Sequence, residues 1–197
     1  MPRITEAARQ LRRDDIAAAA RRCFVRDGYA ATSMADIIAE AGSSAGGVYS
    51  HFESKAELLR FVATTVLKDR LGGLRRALQA REGGLTPALV AEVLMGEAPD
   101  PQDASLLVQM WSQAPSDPEL LEVTALTVRA LRKTVRKALL PWAEARFADD
   151  PKEHAGDAAD AVIAAIHGYV VRCVLTPQED LGEVQRRIVA GLGVMSV

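Results

Sequence analysis

The chain has 197 residues, of which 49% are hydrophobic and 25% charged, and its net charge is −2. This is an ordinary globular composition, and it excludes a chain that is disordered throughout. The two cysteines, Cys23 and Cys173, are far apart in sequence and exclude a disulfide-rich scaffold, so we expect a reduced, cytoplasmic protein. No uncharged apolar run is long enough for a membrane span, and no apolar segment typical of a signal peptide follows the N-terminal arginine.

The charge is distributed unevenly along the chain. Residues 1–26 contain seven arginines and three acidic residues, a net charge of +4, whereas the rest of the chain carries −6. A basic N-terminal segment on an otherwise acidic chain indicates an arm that contacts an anionic partner. Exposed arginines are, however, also common on helices in general.

Four helices are predicted in the first 80 residues. Glycines at 28 and 42 terminate the first two, and the segments 33–36 and 54–57 are capping boxes that open the second and the fourth. The third is short and follows a tight turn that contains glycine. The predicted helices are residues 14–27, 33–41, 44–51 and 54–80.

Five further helices are predicted in the second part of the chain, at residues 87–97, 105–114, 118–147, 157–175 and 178–193. Pro141 is expected to kink or break the third of these, and residues 148–156 form a polar loop. Residues 157–175 are apolar nearly all round, which indicates burial on more than one side. Because no segment alternates apolar and polar residues, the fold class is all-α with about nine helices.

Three short helices followed by a long one form a helix-turn-helix arrangement. The segment 28–59, GYAATSMADIIAEAGSSAGGVYSHFESKAELL, resembles the DNA-binding signature of the TetR family of regulators, and the residues from Trp111 to Leu120 are also similar to that family. The resemblance implies a DNA-binding domain at residues 1–55 and a ligand-binding and dimerisation domain at residues 56–197. No catalytic, cofactor or zinc motif is present, so neither an enzyme nor a cofactor is expected.

The resemblance places the DNA-recognition helix at residues 44–51 and implies phosphate contacts from tyrosine, histidine, lysine and N-cap hydroxyl positions. Helix N-termini, hydroxyl groups and ammonium groups are suitable phosphate partners, and the basic arm adds three arginines. The predicted DNA-binding residues are Arg9, Arg12, Arg13, Thr32, Ser33, Ser44, Ala45, Gly47, Tyr49, Ser50, His51 and Lys55.

This recognition helix departs from the common pattern, because Ala45 stands where many members of the family have lysine or arginine. The helix has no Arg, Lys, Asn or Gln, the side chains that form paired hydrogen bonds to bases. We therefore expect contacts from Ala45 to thymine methyl groups and from Ser44 and Ser50 to base edges. Its two glycines allow a close backbone approach, and groove shape contributes to specificity.

A ligand pocket is predicted within residues 61–175, lined by bulky apolar side chains with a few polar groups, as small-molecule sites are. The candidate residues are Phe61, Met95, Met110, Trp111, His167, Tyr169 and Arg172, which favour an apolar or amphipathic effector. Two alternatives remain open: Trp111 as an ordinary core residue and His167 as a buried or interface histidine.

The last two predicted helices are expected to form a dimer, since the helix at 157–175 has two apolar sides and one subunit covers only one of them. One side consists of Ala158, Val162, Ala165, Ile166, Tyr169, Val170 and Cys173. The other consists of Ile163, Ala164, Val171 and Val174, and the final helix adds Val184, Ile188 and Leu192.

Together these features predict a ligand-responsive transcriptional regulator that binds a pseudo-palindromic operator as a homodimer. A repressor that an effector releases is the first hypothesis, and an activator fits the same sequence. The alternatives from other classes are a helical interaction module without DNA binding, and a small helical enzyme or a metal or redox sensor that uses His154, His167 and Cys173.

Overall fold

The computed structural model describes residues 6–80, 84–96 and 101–194, and within these ranges it contains nine α-helices and no strand. The all-α prediction is confirmed. The helices are α1 (Glu6–Asp27), α2 (Met34–Glu40), α3 (Ala45–Tyr49), α4 (Lys55–Gln79), α5 (Pro87–Gly96), α6 (Pro101–Gln113), α7 (Pro118–Arg146), α8 (Pro151–Leu175) and α9 (Leu181–Val194), with a 3₁₀ turn (Ala114–Ser116) before α7.

The first three helices pack around a small apolar core that also includes the start of α4. Phe24, Ile37, Val48 and Phe52 are fully buried in it. The turns between these helices need glycine, because the backbone of Gly28 has φ +84° and that of Gly42 has φ +55°, in the left-handed region that side chains disfavour. Short helices are marginal on their own, so this shared core is what holds α2 and α3 in place.

The helix α4 connects this N-terminal unit to a bundle made of α5 to α9. It packs along α7, and α8 lies at the centre of the bundle against α5, α6 and α7. Asp117 ties the two long helices together: one carboxylate oxygen accepts from Leu120 N at 3.1 Å and caps α7, and the other accepts from Arg60 of α4 at 3.0 Å. Because Arg60 lies near the start of α4, this contact holds the part of the helix that is next to the N-terminal unit.

Three helices begin earlier than predicted. The helix α1 begins at Glu6 instead of residue 14, α6 at Pro101 instead of residue 105, and α8 at Pro151 instead of residue 157. The start of α8 is capped by Asp150, whose side chain accepts from Glu153 N at 3.0 Å. Because proline is well suited to the first turn of a helix, most of the predicted polar loop at 148–156 is helical.

Pro141 does not break α7, which continues to Arg146. The side chains of Pro141 and of Lys137, whose carbonyl loses its usual partner, are both exposed. Water can satisfy a carbonyl on that side of the helix, which lowers the cost of the missing N–H.

By length and composition, α8 is apolar enough to cross a membrane. In the fold it is the central helix of the bundle, and it carries charged residues near both ends, Asp157 and Asp160 at one and Arg172 at the other. Its apolar character is thus explained by its inward face, which packs against three helices.

Candidate DNA-binding surface and effector cavity

The helix α3 is anchored by its inner side and exposed on its outer side. Ser44 caps it by accepting from Gly47 N at 3.1 Å, and Val48 is fully buried beneath it. Tyr49 is 49% exposed. The outer side, which we name the recognition surface, consists of the exposed residues Ser44, Ala45, Gly46, Tyr49 and Ser50.

The two glycines of α3 have different surroundings. A Cβ atom at Gly47 would lie 2.7 Å from Ser43 Oγ and 3.2 Å from Ser44 Oγ, so a larger residue there would require the Ser43 hydroxyl to move. A Cβ atom at Gly46 would meet nothing within 4 Å. Folding of the subunit therefore gives no reason for glycine at position 46, which lies on the recognition surface.

The hydroxyl groups at the start of α2 are engaged within the fold. Ser33 forms a reciprocal capping box with Asp36, and its hydroxyl and backbone N–H both donate to Asp36 Oδ2, at 2.6 and 2.8 Å. These hydrogen bonds lower the pKa of Asp36. Thr32 is buried and donates to Gly28 O at 2.8 Å, so its hydroxyl hydrogen is unavailable to a phosphate.

Lys55 is bound to the turn between α1 and α2. Its Nζ donates to Tyr29 O and Thr32 O, both at 2.7 Å, and lies 4.4 Å from the centre of the Tyr29 ring. The backbone carbonyls of this turn point at the start of α4 and hold the ammonium group within the subunit, and the phosphate contact expected of Lys55 stays a prediction. Lys55 positions the turn relative to α4 and the recognition surface.

Arg13 is also used inside the N-terminal unit. Its guanidinium lies 4.5 Å from the centre of the Phe52 ring and 5.0 Å from that of Phe61, and it donates to His51 O at 3.1 Å. The Nδ1 atom of His51 is itself buried and has no hydrogen-bond partner among the described residues. Arg13 therefore fixes the segment that leaves α3.

Most other arginines of α1 form ion pairs within the subunit. Arg22 and Arg26 both bind Glu40, at 2.7 and 3.0 Å, and Arg21 binds Asp103 of α6. Arg9 is exposed and Arg12 half-buried, and neither forms an ion pair or hydrogen bond to any described residue. These two guanidinium groups are the ones on α1 that remain available to an anionic partner.

A cavity of about 130 Å³ lies in the bundle and is formed by five helices. Its lining is mostly leucine, valine and isoleucine, with Trp111 and His167 as ring groups and Arg70 as the charged residue. The lining residues are Leu67, Arg70, Leu71, Leu74, Leu94, Leu107, Trp111, Thr124, Thr127, Val128, Leu131, Ile166, His167 and Val170.

Trp111 and His167 meet edge to face in this lining, with their ring centres 5.0 Å apart. Burial lowers the pKa of His167 below its ordinary value of 6.5, so the imidazole is neutral at pH 7. His167 forms no hydrogen bond with any residue that the structure describes. A neutral imidazole offers one donor and one acceptor to a molecule in the cavity.

The other five predicted pocket residues lie outside this lining. Met95 and Met110 are buried in the core, and Phe61 packs edge to face against Phe52 at 5.3 Å. Tyr169 is buried as well, and Arg172 forms an ion pair with Glu179 beside α9. These residues face away from the cavity because the apolar stripes of α5, α6 and α8 contact several neighbouring helices, only some of which line it.

The helix α6 contacts both the cavity and the N-terminal unit. Leu107 and Trp111 face the cavity, whereas the Gln109 amide accepts from Tyr29 N at 2.7 Å and donates to Phe24 O at 3.3 Å. Asp103 binds Arg21 of α1 and also lies 3.4 Å from the cavity-lining Arg70 of α4. A displacement of α6 would therefore act directly on α1 and on the turn that follows it.

Two family models match the chain. Residues 16–62 match the model described as bacterial regulatory proteins of the TetR family, and residues 85–192 match that of the BetI-type transcriptional repressor C-terminal domain, which covers more than half of the chain. The chain belongs to the TetR family. Members of this family are transcriptional regulators, not enzymes, and they bind DNA through the helix-turn-helix unit that α1 to α3 form here.

Relatives and solved structures agree with TetR membership. The chain is 28% identical to the regulator TtgR of Pseudomonas putida over 203 aligned positions, gaps included, which cover 99% of this chain and 96% of that protein. It is 36% identical to YfiR of Bacillus subtilis over 81 residues, 38% of that protein. A transcriptional regulator from Pseudomonas aeruginosa PAO1 has the same fold, with a TM-score of 0.79 at 23% identity over 98% of this chain and 94% of that one.

Metal and redox chemistry have no support in this geometry. The described ranges contain no group of three or more His, Cys, Asp or Glu residues placed to hold a metal ion. Cys23 and Cys173 are buried, and burial raises the pKa of both thiols, which makes them poor nucleophiles.

Replacing Gly46 by alanine should weaken DNA binding without harming the fold. The added methyl group has free space in the subunit and raises helix stability by about 0.5–1 kcal/mol, but it would separate α3 from the DNA. We expect a loss of about 1–3 kcal/mol in binding free energy, the scale of one disrupted base pair contact. Gly96→Ala, at an equally open glycine far from α3, is the control in a gel-shift titration, and equal affinities for both variants would contradict the assignment.

Arg9→Ala and Arg12→Ala should each reduce the salt dependence of DNA binding. Each lost phosphate contact lowers the slope of log K against log salt by about 0.9. Arg129→Ala removes an exposed arginine on α7 and should leave the slope unchanged. A slope that stays the same in both arm variants would show that the arm does not contact phosphates.

Lys55→Met should destabilise the protein. The methionine keeps the apolar stem but leaves two carbonyls of the turn without their donor, at a cost of about 1–3 kcal/mol in the free energy of unfolding. Lys68→Met removes an exposed lysine of the same helix and is the control in urea denaturation. A loss of DNA affinity with unchanged stability would instead favour a direct phosphate contact.

Proposed function

We propose that this TetR-family protein is a ligand-responsive repressor that binds a pseudo-palindromic operator as a homodimer and is released by a small effector. The observation that carries this proposal is α6, which faces the cavity with Leu107 and Trp111 and binds α1 with Asp103 and Gln109. Operator DNA as the partner implies action in the cytoplasm.

The proposed dimer forms through an exposed stripe of small and apolar residues. On α8 the stripe has helical spacing and faces away from the subunit core, and α9 adds exposed residues of its own, among them Val194, which is 76% exposed. We name these residues the dimer face: Ala161, Ala164, Gly168, Leu175, Ala190 and Val194, which are exposed, and Val171, which is half-buried.

The dimer face differs from both stripes expected from the sequence. The first expected stripe is the inward face of α8: Val162, Tyr169, Val170 and Cys173 are buried, and Ala158, Ala165 and Ile166 are half-buried. Of the second expected stripe, Ala164 is exposed, Val171 and Val174 are half-buried, and Ile163 is buried. On α9, Val184 and Leu192 are buried and Ile188 is half-buried. Small residues on the outer face allow the close approach of a second α8.

Effector release follows from the position of the cavity. Arg70, Leu71 and Leu74 place α4 in the cavity wall, and the same helix begins directly after α3. A ligand that binds better when α4 and α6 are displaced changes the separation of the two recognition helices, which must match half-sites about one DNA turn apart. Lowering operator affinity 100-fold needs about 2.7 kcal/mol of coupling.

The charges of the residues that line this cavity limit the kind of effector that it can bind. A regulator from Saccharomonospora viridis with a similar fold, at a TM-score of 0.71 and 19% identity, was solved in complex with choline, a cation. No acidic residue lines the cavity of the present chain within the described ranges, and Arg70 is its charged group. We therefore place its effector among apolar or amphipathic molecules that are not cationic.

A gel-shift assay with the DNA upstream of the protein's own gene tests the proposal. We expect a specific complex with two subunits per operator, and weaker binding of the same DNA by the Gly46→Ala variant. Binding to this DNA no stronger than to a shuffled sequence of equal length would count against an operator-binding repressor.

Ala164→Glu should convert the dimer to a monomer. In the dimer, two carboxylates near the two-fold axis would be buried without partners, which is unfavourable. In a single subunit the same position is exposed, so its carboxylate remains in water. We expect a monomeric mass in sedimentation and a loss of about 10²–10⁴-fold in operator affinity, because two linked half-site contacts become one. Ala145→Glu, at an exposed alanine of α7, is the matched control, and a monomeric wild-type protein would refute the dimer.

A further inference from the structure

The ring pair in the cavity favours a flat ligand. Trp111 and His167 present their edges and faces beside leucine and valine side chains, an environment that suits another ring. The volume of about 130 Å³ resembles that of a leucine- and phenylalanine-lined cavity of about 150 Å³ that accepts benzene in another protein. One aromatic ring with small substituents fits these dimensions.

Among the uncharged side chains of the described lining, His167 is the one that can both donate and accept a hydrogen bond, because Trp111 can only donate. The hydroxyl groups of Thr124 and Thr127 donate to backbone carbonyls of their own helix, at 2.8 and 2.9 Å, and so have no hydrogen left for a ligand. His167 forms no hydrogen bond within the described part of the chain, and burial keeps it neutral by lowering its pKa. It can therefore both donate to and accept from one polar group on a ligand.

Cationic and anionic ligands are both disfavoured in this cavity. A cation would meet Arg70 and no acidic side chain in the described lining. An anion would have to compete with Asp103, which lies 3.4 Å from the guanidinium of Arg70. Burying a charge without a partner in apolar surroundings is costly, so an uncharged polar group is preferred.

We propose that the cavity binds an uncharged molecule built on one aromatic ring, whose hydrogen-bonding group contacts His167 while its ring packs against Trp111. This inference rests on the proposed function only in taking the cavity as the effector site. It assigns the chemical class of the effector and the residue that selects it.

The experiment uses the full chain carrying Trp142→Phe, which leaves Trp111 as its single tryptophan. Trp142 lies outside the cavity lining, packs against Phe147 and has no hydrogen-bond partner for its ring nitrogen among the described residues, so phenylalanine is a conservative replacement. The probes share one ring and differ in charge: 4-methylbenzyl alcohol, 4-methylbenzoate, 4-methylbenzylammonium and p-xylene. Trp111 fluorescence is followed at pH 7 without DNA.

We expect 4-methylbenzyl alcohol to bind with a Kd on the order of 0.1 mM, as suits a ligand of about nine non-hydrogen atoms. The benzoate should bind more weakly than the alcohol. The ammonium probe should bind most weakly, with a Kd about tenfold or more above that of the alcohol. His167→Phe keeps a ring beside Trp111 but removes both nitrogens. It should therefore weaken the binding of the alcohol about three- to tenfold and leave the binding of p-xylene unchanged.

Three results would overturn the inference: tighter binding of the ammonium probe than of the alcohol, an equal loss for the alcohol and p-xylene in His167→Phe, or no response to uncharged probes up to about 5 mM. Thermal denaturation of His167→Phe verifies that the variant is folded, and His167→Gln, which retains polar atoms, should partly restore binding of the alcohol. Because the titrations contain no DNA, a failure here leaves the operator gel shift as a separate test of the proposed function.

Discussion

The two halves of the protein meet where α6 crosses the end of α1, and the amide of Gln109 fixes this crossing together with the Arg21–Asp103 ion pair. That amide accepts from the backbone after Gly28 and donates to the backbone before it, so it holds both sides of the turn that ends α1. A charged side chain could not do both. Phe24 O also accepts from Gly28 N at 3.1 Å, so a shift of α6 would leave Tyr29 N as the unpaired group, at a cost of about 1–3 kcal/mol.

The elements that sequence reasoning found best are those whose ends carry local hydrogen bonds. Ser33, Ser44 and Ser54 each cap a helix in the structure, and the glycines at 28 and 42 have the positive φ that a helix stop needs. The late start assigned to α8 had a local signal, since an aspartate followed by proline opens both α7 and α8.

The candidate site was harder to predict, because a residue type does not reveal where its polar atoms point. Lys55 and Arg13 have the right chemistry for phosphates, yet both bind backbone carbonyls of their own subunit. Trp111 and His167 were predicted for the pocket and lie in the cavity lining. The leucines of α4 and the threonines of α7 also line the cavity but were not predicted to do so. Apolar stripes that line a cavity have the same periodicity as stripes that fill a core.

The free space around Gly46 has a consequence for how such a regulator changes over generations. Residues that touch DNA are usually also constrained by the fold, so a new operator preference costs stability before it is useful. At position 46 an added Cβ atom meets nothing within 4 Å, and any residue other than proline or glycine improves the helix. A lineage can therefore replace this glycine by single substitutions while the protein stays folded, and a duplicated copy of the gene could diverge towards a different promoter.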